Sequence, residues 1–338
     1  MGTRDREVPP TTDGSILNRG ALQRENADMP EALDADVVII GGGCAGLTAA
    51  IYAARSALKT ILLDKLDPGG QLATTHEVEN YPGFIDPIQG PDLMDRFLKQ
   101  AQRFGTDVRS AQVNGISASD PVVRVVHTDG GDLRCKAVLV CTGADPKRLG
   151  VPGEDRLRGR GVSYCATCDA PFFRNKDVVV VGGGNTAVDE GNYVTRFARQ
   201  VTLVHRRDRL RADPIIQERA RKNPKMKFIW DTVVTEILGG DVVEKVRLRN
   251  LKTNEEGELA AQGCFILIGT TPNTGFLRGV CELDGQGFVK VNARKETNVP
   301  GIFAAGDCED AVWRQAVTAA GFGCSAAIAA KQYIESLE

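Results

Sequence analysis

Two cysteines separated by two residues form the most chemically specific feature of the chain. Cys165 and Cys168 lie in the segment Cys-Ala-Thr-Cys-Asp, which ends at Asp169. This spacing allows an intramolecular disulfide and favours a reactive thiolate, the usual arrangement for dithiol exchange. Asp169 could carry a proton in such an exchange, or it could form a turn or cap a helix. The cysteine pair is therefore predicted to be a redox-active dithiol.

A structural zinc site is the main alternative for this pair, and it would need four ligands. No two of the other seven cysteines are three positions apart, and the only histidine nearby is His205. We therefore predict no bound metal. The other cysteines are expected to be small hydrophobic residues of the core: Cys44, Cys135, Cys141, Cys264, Cys281, Cys308 and Cys324.

A glycine-rich loop of the form G-x-G-x-x-G follows the β-branched run Val37–Ile40 and leads into an alanine-rich helical segment that ends near Ala57. Such a loop places backbone N–H groups and a helix N-terminus against a pyrophosphate, and an acid at the end of the next strand can bond a ribose hydroxyl. FAD and NAD would both fit. The residues predicted to contact the dinucleotide are Gly41, Gly43, Ala45, Gly46 and Asp64.

The motif occurs a second time, after the run Val178–Val181, and in both copies the next strand ends 23 residues beyond the first glycine. In the second copy this place carries His205-Arg206-Arg207, where an NAD site would have an acid. Guanidinium groups suit a 2′-phosphate, which predicts NADPH, although a solvated basic run is the alternative. The residues predicted to bind NADPH are Gly182, Gly184, Asn185, Thr186, Ala187, His205, Arg206, Arg207 and Arg211.

These motifs require two nucleotide-binding βαβ units, and 338 residues suffice for roughly two domains of about 150 residues. A strand that enters a glycine turn at 138–144 marks the place where the chain passes from the first domain to the second. Pro272 marks a later turn. The last 30 residues look helical and need a sheet to cover, so we infer that the tail returns to the first domain.

The predicted fold class is α/β, with two Rossmann-like dinucleotide-binding domains and the second inserted in the first. The predicted boundaries are a mobile arm at 1–34, a first domain at 35–148 and 274–338, and a second domain at 149–273 that carries the cysteine pair.

Composition excludes several classes of function. A net charge of −2 and a pI of about 6.1 provide no basic field for nucleic acid. The eighteen uncharged residues between Asp36 and Arg55 are long enough for a membrane span, but their glycines favour the strand, turn and helix instead. An odd number of cysteines, nine, argues against a secreted disulfide framework. We therefore expect a cytoplasmic protein with no membrane segment and no nucleic-acid partner.

Two dinucleotide loops and one dithiol together suggest that electrons pass from NADPH through a flavin to a disulfide. Hydride transfer and thiol attack on a flavin each require reacting atoms about 3 to 3.5 Å apart. If nicotinamide and disulfide compete for one flavin face, the inserted domain must swing between two poses.

From about residue 36 to the C-terminus the chain resembles the low-molecular-weight thioredoxin reductases. The resemblance rests on blocks spread along the chain: 41–46, Gly69-Gly70-Gln71-Leu72, Val78-Glu79-Asn80-Tyr81-Pro82-Gly83, 165–169, 182–187, His205-Arg206-Arg207 with Arg211, and Gly306-Asp307 with Arg314-Gln315-Ala316. It implies an FAD-binding first domain and an NADPH-binding second domain. The residues that it adds to the FAD site are Gly70, Gln71, Leu72, Asn80, Gly306, Asp307, Arg314, Gln315 and Ala316.

The resemblance also implies roles and partners. Cys168 would face the flavin, Cys165 would attack the disulfide of thioredoxin or a thioredoxin-like protein through a mixed disulfide, and Asp169 would donate or accept the proton. The family forms homodimers and rotates its NADPH domain.

The chain departs from the family at two positions, and two other functions stay open. Trp313 replaces a common Tyr, and Pro171 stands where relatives often have an aromatic residue. Phe172 and Phe173 are then the candidate anchors for the partner, or else they pack against the next strand. The alternative functions are reduction of another small disulfide protein, such as a glutaredoxin-like one, and a flavin-based redox-sensing module.

Overall fold

A computed structural model describes residues 32–75 and 77–337. Residues 1–31 of the arm predicted at 1–34 lie outside the described residues. The described strands, in chain order, are β1 (Val37–Ile40), β2 (Thr60–Asp64), β3 (Glu77–Val78), β4 (Ile88–Gln89), β5 (Asp107–Ser110), β6 (Val113–Ser117), β7 (Arg124–Thr128), β8 (Gly131–Cys135), β9 (Ala137–Val140), β10 (Ala144–Pro146), β11 (Val162–Ser163), β12 (Asp177–Gly182), β13 (Gln200–Val204), β14 (Met226–Ile229), β15 (Thr232–Leu238), β16 (Lys245–Asn250), β17 (Glu256–Ala260), β18 (Gly263–Leu267), β19 (Thr270–Pro272) and β20 (Ile302–Ala304).

The described α-helices include two long ones, α2 and α6, and a single-turn helix, α3. They are α1 (Cys44–Arg55), α2 (Gly90–Arg103), α3 (Ala166–Asp169), α4 (Asn185–Val194), α5 (Pro214–Lys222) and α6 (Ala316–Glu335). Short 3-10 helices occur at Gly70–Thr74, Ala170–Phe173 and Gly275–Leu277. None of these helices is long and apolar enough to cross a membrane.

The first sheet is parallel, with the strand order β20-β9-β1-β2-β5. Apart from the exposed edge strand β5, its strands are buried on both faces because both faces are covered. Ile39, Leu62 and Leu139 pack with α1 and α6 on one face, while Val38 and Ile61 pack into a second cluster on the other. The sheet therefore holds the start of α1, with the first glycine loop, at the carboxyl end of its central strand.

The second sheet repeats this arrangement in the order β11-β18-β12-β13-β14. Val180, Leu203 and Phe265 are buried on the face that α4 covers, and Val179 and Ile266 are buried on the other. In both sheets the glycine loop follows a strand whose two neighbours come from different parts of the chain, which is where α/β sheets bind ligands.

After the second sheet the chain returns to the first, because β20 pairs with β9 and α6 packs along α1. The two helices approach closely at Gly323, where a Cβ would lie 2.1 Å from the carbonyl oxygen of Ala45. The predicted fold class, with one dinucleotide-binding domain inserted in the other, is confirmed. The terminal helix is shorter than predicted, because α6 begins only at Ala316, whereas α1 ends at Arg55, near Ala57 as predicted.

A two-stranded antiparallel ribbon joins the two sheets. It pairs β10 with β19, and it includes Pro272, which the sequence predicted as a turn. Proline fits here because a strand at the edge of a sheet does not need every N–H donor. The remaining small sheets are β3-β4, β6-β7-β8 and β15-β16-β17, all antiparallel.

Candidate active site

Cys165 and Cys168 form a disulfide, with their Cα atoms 5.4 Å apart. The backbone folds into the single turn α3 directly after Cys165, so the N–H of Cys168 points back and donates a hydrogen bond to Sγ of Cys165 across 3.2 Å. Both cysteines are half-buried, and Thr167 between them is exposed. The predicted intramolecular disulfide is present and lies within reach of another molecule.

Asp169 is held beside the disulfide by Ser163, the last residue of β11. Oγ of Ser163 donates a hydrogen bond to Oδ2 of Asp169 across 2.5 Å and also accepts the backbone N–H of Cys165 at 3.1 Å. Burial raises the pKa of Asp169, and the hydrogen bond from Ser163 opposes this shift. The carboxyl is thus oriented and holds its proton to higher pH than an exposed aspartate, which suits proton transfer to and from sulfur.

Glu190 on α4 connects the dithiol segment with the region that begins α6. Its carboxylate accepts the backbone N–H of Ala166 at 3.2 Å. Burial raises the pKa of Glu190, while that N–H and the positive charge of Arg314 oppose the shift. Arg314 in turn donates to Oγ1 of Thr270 in the ribbon across 3.1 Å. Glu190 therefore contacts the disulfide helix directly and senses the charge of Arg314, which lies before α6.

The first glycine loop has the close contacts that a pyrophosphate site needs. Gly41 has a φ of +103°, and a Cβ there would lie 2.4 Å from the carbonyl oxygen of Cys141, so only glycine fits. A Cβ at Gly46 would lie 1.8 Å from the oxygen of Gly41, which lets α1 start against β1. Gly43, by contrast, faces open space, since a Cβ there would meet nothing within 4 Å. The loop leaves room for a phosphate at this glycine.

Asp64 holds this loop from the end of β2. Its Oδ2 accepts the N–H of Gly42 at 2.6 Å, and its Oδ1 accepts the N–H of Leu66 at 3.1 Å. A carboxylate has about four acceptor positions, so it can still bond a ribose hydroxyl. Gly70 is brought against the loop, where a Cβ would lie 3.2 Å from Cα of Gly43.

Asp307 lies next to the same loop, although it is distant in sequence. Gly306 packs against Ala45, where a Cβ would lie 2.8 Å from the Ala45 side chain. Burial and the neighbouring charge of Asp310 raise the pKa of Asp307 to about 6, and Arg314 opposes them. Among residues 32–75 and 77–337 we find no hydrogen-bond donor to the Asp307 carboxyl. A partly buried acceptor of this kind fits the hydroxyl groups of a flavin dinucleotide.

The other residues assigned to FAD by resemblance form a connected group near the ribbon. The side-chain amide of Gln71 donates to the carbonyl of Ala144 in β10, and Nδ2 of Asn80 donates to Oε1 of Gln315 across 3.3 Å. Leu72 and Ala316 pack against the core of the first sheet. Asp310, which the sequence analysis missed, accepts the backbone N–H of Arg314 at 2.9 Å and so sets its position.

The second glycine loop repeats the first with one difference. A Cβ at Gly182 would lie 2.4 Å from the side chain of Ala187, and Gly184 faces open space. Gly183, however, is covered by the buried ring of His205, which a Cβ would meet at 2.2 Å. Burial and the charges of nearby arginines lower the pKa of His205. His205 therefore packs beneath the loop as a neutral ring.

Three arginines and two polar residues surround this loop. Arg206, Arg207 and Arg211 are all exposed, and none of them forms an ion pair with another described residue. Asn185 and Thr186 are exposed at the start of α4. The arginines are thus available to a phosphate, whereas the side chain of Asn185 bonds to Asp213.

The two candidate docking residues, Phe172 and Phe173, differ in their burial. Phe173 is buried and lies 5.0 Å from the ring of Phe265, edge to face, so it belongs to the core. Phe172 is 37% exposed and is the one available to a partner.

The other cysteines are mostly buried, as predicted, but Cys324 is partly exposed. Burial raises the pKa of both Cys44 and Cys308 to about 12, which makes them poor nucleophiles.

Comparison with known proteins agrees with this geometry. Residues 35–323 match the family model for pyridine nucleotide-disulphide oxidoreductases. The chain is 50% identical over 300 residues to the thioredoxin reductase of Mycolicibacterium smegmatis, covering 88% of this chain and 96% of the relative. The chain belongs to the thioredoxin reductases of this family. Its resemblance to them and its assignment as an oxidoreductase are confirmed, and so are FAD and NADPH, which the enzymes of this family use.

Two solved structures are informative because they are equally similar in sequence. The thioredoxin reductase of Streptococcus pyogenes is 43% identical, covers 89% of this chain and 98% of its own, and has a TM-score of 0.86. That of Lactococcus lactis, described as being in the FR conformation, is also 43% identical and covers 89% and 99%, but its TM-score is 0.62. Equal identity with unequal superposition indicates a different arrangement of similar parts.

Proposed function

We propose that this chain is an NADPH-dependent thioredoxin-disulfide reductase. The observation that carries the proposal is the accessible Cys165–Cys168 disulfide beside the oriented carboxyl of Asp169, in a chain that also has two glycine loops with room for phosphate. When bound, FAD would supply a two-electron carrier between NADPH and the disulfide.

The two loops would hold different cofactors. FAD would bind to a domain formed by 35–148 and 274–338. Its contacts would come from the first glycine loop, from Asp64, and from the residues that the family resemblance adds: Gly70, Gln71, Leu72, Asn80, Gly306, Asp307, Arg314, Gln315 and Ala316. The second loop and the three exposed arginines would bind NADPH in a domain at 149–273. This assignment is supported by Asp64 at the end of β2 and by arginines at the corresponding place after β13.

Thiol exchange would then proceed on the chain's own residues. The N–H of Cys168 at Sγ of Cys165 would stabilise a thiolate there once the disulfide is reduced. This thiolate would attack a sulfur of the thioredoxin disulfide, whose S–S bond breaks as a mixed disulfide forms. The departing thiolate would take its proton from Asp169. Attack by Cys168 on Cys165 would release the second thioredoxin thiol and restore the Cys165–Cys168 disulfide.

A swing of the NADPH domain would let nicotinamide and disulfide use one flavin face in turn. The unequal TM-scores of the two equally similar structures support such a rearrangement. The ribbon β10-β19 would be the hinge, since it is the connection between the two sheets. A cross-link between the domains that left full turnover with NADPH and thioredoxin would rule out the swing.

The proposed partners are thioredoxin and a second copy of the chain, in the cytoplasm. Tyr52 on α1 and Ile328 on α6 are exposed apolar residues of the two packed helices, which supports a homodimer. Analytical ultracentrifugation tests this part, because a monomer at micromolar concentration contradicts it.

Stopped-flow reduction by NADPH and by NADH, followed by oxidised thioredoxin, tests the function in wild type and Cys165→Ser. We expect bleaching of the flavin absorbance with NADPH in both proteins, and thioredoxin reduction only in wild type. Thioredoxin reduction by Cys165→Ser would overturn the mechanism. A preference for a glutaredoxin-like substrate would favour that alternative, and a flavin that NADPH does not bleach would favour a redox-sensing module.

A further inference from the structure

The loop that carries Arg211 is tied to the second glycine loop at two points. The backbone N–H of Arg211 donates to the carbonyl oxygen of Gly183 across 2.7 Å. Two residues further on, Asp213 and Asn185 exchange hydrogen bonds: Nδ2 of Asn185 donates to Oδ2 of Asp213 at 2.9 Å, and the backbone N–H of Asp213 donates to Oδ1 of Asn185 at 2.7 Å. We call this reciprocal pair the clasp.

Asp213 stands at the N-cap of α5, but its side chain does not cap that helix. An aspartate in this position ordinarily accepts an N–H of its own first turn, which stabilises the helix. Here the carboxylate bonds instead to the first residue of α4. The clasp replaces a local stabilising contact with a contact between the starts of α4 and α5, which suggests that the relative position of these two segments matters.

His205 fixes the same loop from below. Its ring is buried against Gly183, and its Nε2 has no hydrogen-bond partner among the described residues. Because the ring occupies the space that a Cβ would need, the backbone of Gly183 packs directly against His205. The backbone hydrogen bond of Arg211 and the clasp together set the position of Arg211 relative to Gly184, whose Cβ position faces open space.

We propose that Asn185 and Asp213 are specificity-determining positioning residues for NADPH. The clasp holds Arg211 at a fixed distance from the glycine loop, so that the 2′-phosphate and the pyrophosphate are bound together. The inference rests on the proposed NADPH site. If the clasp opens, the exposed loop of Arg211 gains freedom while the glycine loop keeps its contacts with β12 and His205, so the 2′-phosphate is lost first.

The test is calorimetric titration of the holoenzyme with 2′,5′-ADP and with 5′-AMP, which differ only in the 2′-phosphate. We expect Asn185→Ala and Asp213→Ala to weaken 2′,5′-ADP binding by about three- to tenfold and to leave 5′-AMP binding within about twofold of wild type. The Michaelis constant for NADPH should rise by a similar factor, and by more than the Michaelis constant for NADH.

Asp213→Asn is the matched control, because an amide oxygen can still accept the Asn185 donor. Removing an acid near an anion site should by itself tighten binding of the phosphate, so weaker binding in Asp213→Ala together with preserved binding in Asp213→Asn identifies the clasp. The exchange Asn185→Asp with Asp213→Asn restores a donor and an acceptor and should recover the preference for 2′,5′-ADP. Far-UV circular dichroism of each variant checks that α4 and α5 are intact.

Equal binding of 2′,5′-ADP by wild type, Asn185→Ala and Asp213→Ala would overturn the proposal. So would equal losses for 2′,5′-ADP and 5′-AMP, since the clasp would then support the loop without affecting specificity. A wild type that does not prefer 2′,5′-ADP over 5′-AMP would instead contradict the NADPH site itself.

Discussion

Ser163 donates a hydrogen bond of 2.5 Å to Oδ2 of Asp169 and accepts the backbone N–H of Cys165. One hydroxyl group thus contacts both the acid, Asp169, and the backbone of the nucleophile, Cys165, of the proposed thiol exchange. The carboxyl would otherwise be free to rotate about its χ angles, and proton transfer depends on its distance from the departing sulfur. Ser163 is therefore expected to be a positioning residue for Asp169.

Ser163→Ala should move the pH dependence of thioredoxin reduction. The donated bond favours the carboxylate form of Asp169, so removing it raises the pKa of Asp169 further. The protonated form of Asp169 then persists to higher pH, so the alkaline limb of the pH profile of kcat/KM for thioredoxin shifts to higher pH. We also expect kcat to fall by about three- to tenfold from lost orientation. Ser163→Thr keeps the hydroxyl and is the control. An unchanged alkaline limb in Ser163→Ala contradicts the assignment.

Alanine substitutions at Gly43 and Gly184 should affect the binding of different cofactors. Gly43 and Gly184 have extended backbones, with φ of −77° and −91°, and a Cβ at either would meet no protein atom. Gly43→Ala and Gly184→Ala should therefore change the free energy of unfolding of the cofactor-free protein by no more than about 0.5 kcal/mol. We expect Gly43→Ala to lose FAD, measured by the ratio of flavin to protein absorbance. Gly184→Ala should keep FAD and raise the Michaelis constant for NADPH.

Gly46→Ala is the contrasting variant. Its Cβ would lie 1.8 Å from the oxygen of Gly41, so it should destabilise the fold as well as lose FAD. If Gly43→Ala retained FAD but bound NADPH weakly, the assignment of the two loops would have to be exchanged.

Asp307→Asn should stabilise the cofactor-free protein and weaken FAD binding. The pKa of Asp307 is raised from 3.8 to about 6, mainly by burial. The native state therefore binds more protons than the unfolded state between these values, and stability falls as pH rises through them. At neutral pH the charged carboxyl costs up to about 3 kcal/mol, which the amide avoids.

Urea unfolding of the FAD-free proteins at several pH values measures this effect. The gain of Asp307→Asn over wild type should be largest above about pH 6 and should shrink as the pH falls toward 4. Flavin retention of the purified variant should drop, because the amide is a weaker acceptor than the carboxylate. A variant less stable than wild type at neutral pH would contradict the burial argument.

The two dinucleotide units could be predicted because their signals are local. A β-branched run, a glycine turn and a small-residue helix are adjacent in sequence, and the equal spacing placed Asp64 and His205 at corresponding strand ends. The contacts of Ser163, Asp213 and Thr270 could not be predicted. A polar side chain in a loop or at a strand end belongs to no repeating sequence pattern from which its hydrogen-bond partner could be identified. The ribbon was missed for a related reason: β10 and β19 are far apart in sequence, and Pro272 suggests a turn when it is read by itself.

The separation of Phe172 from Phe173 predicts opposite effects for two neighbouring substitutions. Phe172→Ala removes an exposed ring, so the free energy of unfolding should change by less than about 1 kcal/mol, while the Michaelis constant for thioredoxin rises about tenfold. Phe173→Ala removes a buried ring from its contact with Phe265 and should cost about 3 to 5 kcal/mol. Steady-state kinetics with thioredoxin and with a small disulfide substrate distinguish docking from chemistry, because only thioredoxin needs the docking surface. An unchanged Michaelis constant for thioredoxin in Phe172→Ala would remove Phe172 from that surface, and the contact would then have to lie elsewhere around the disulfide.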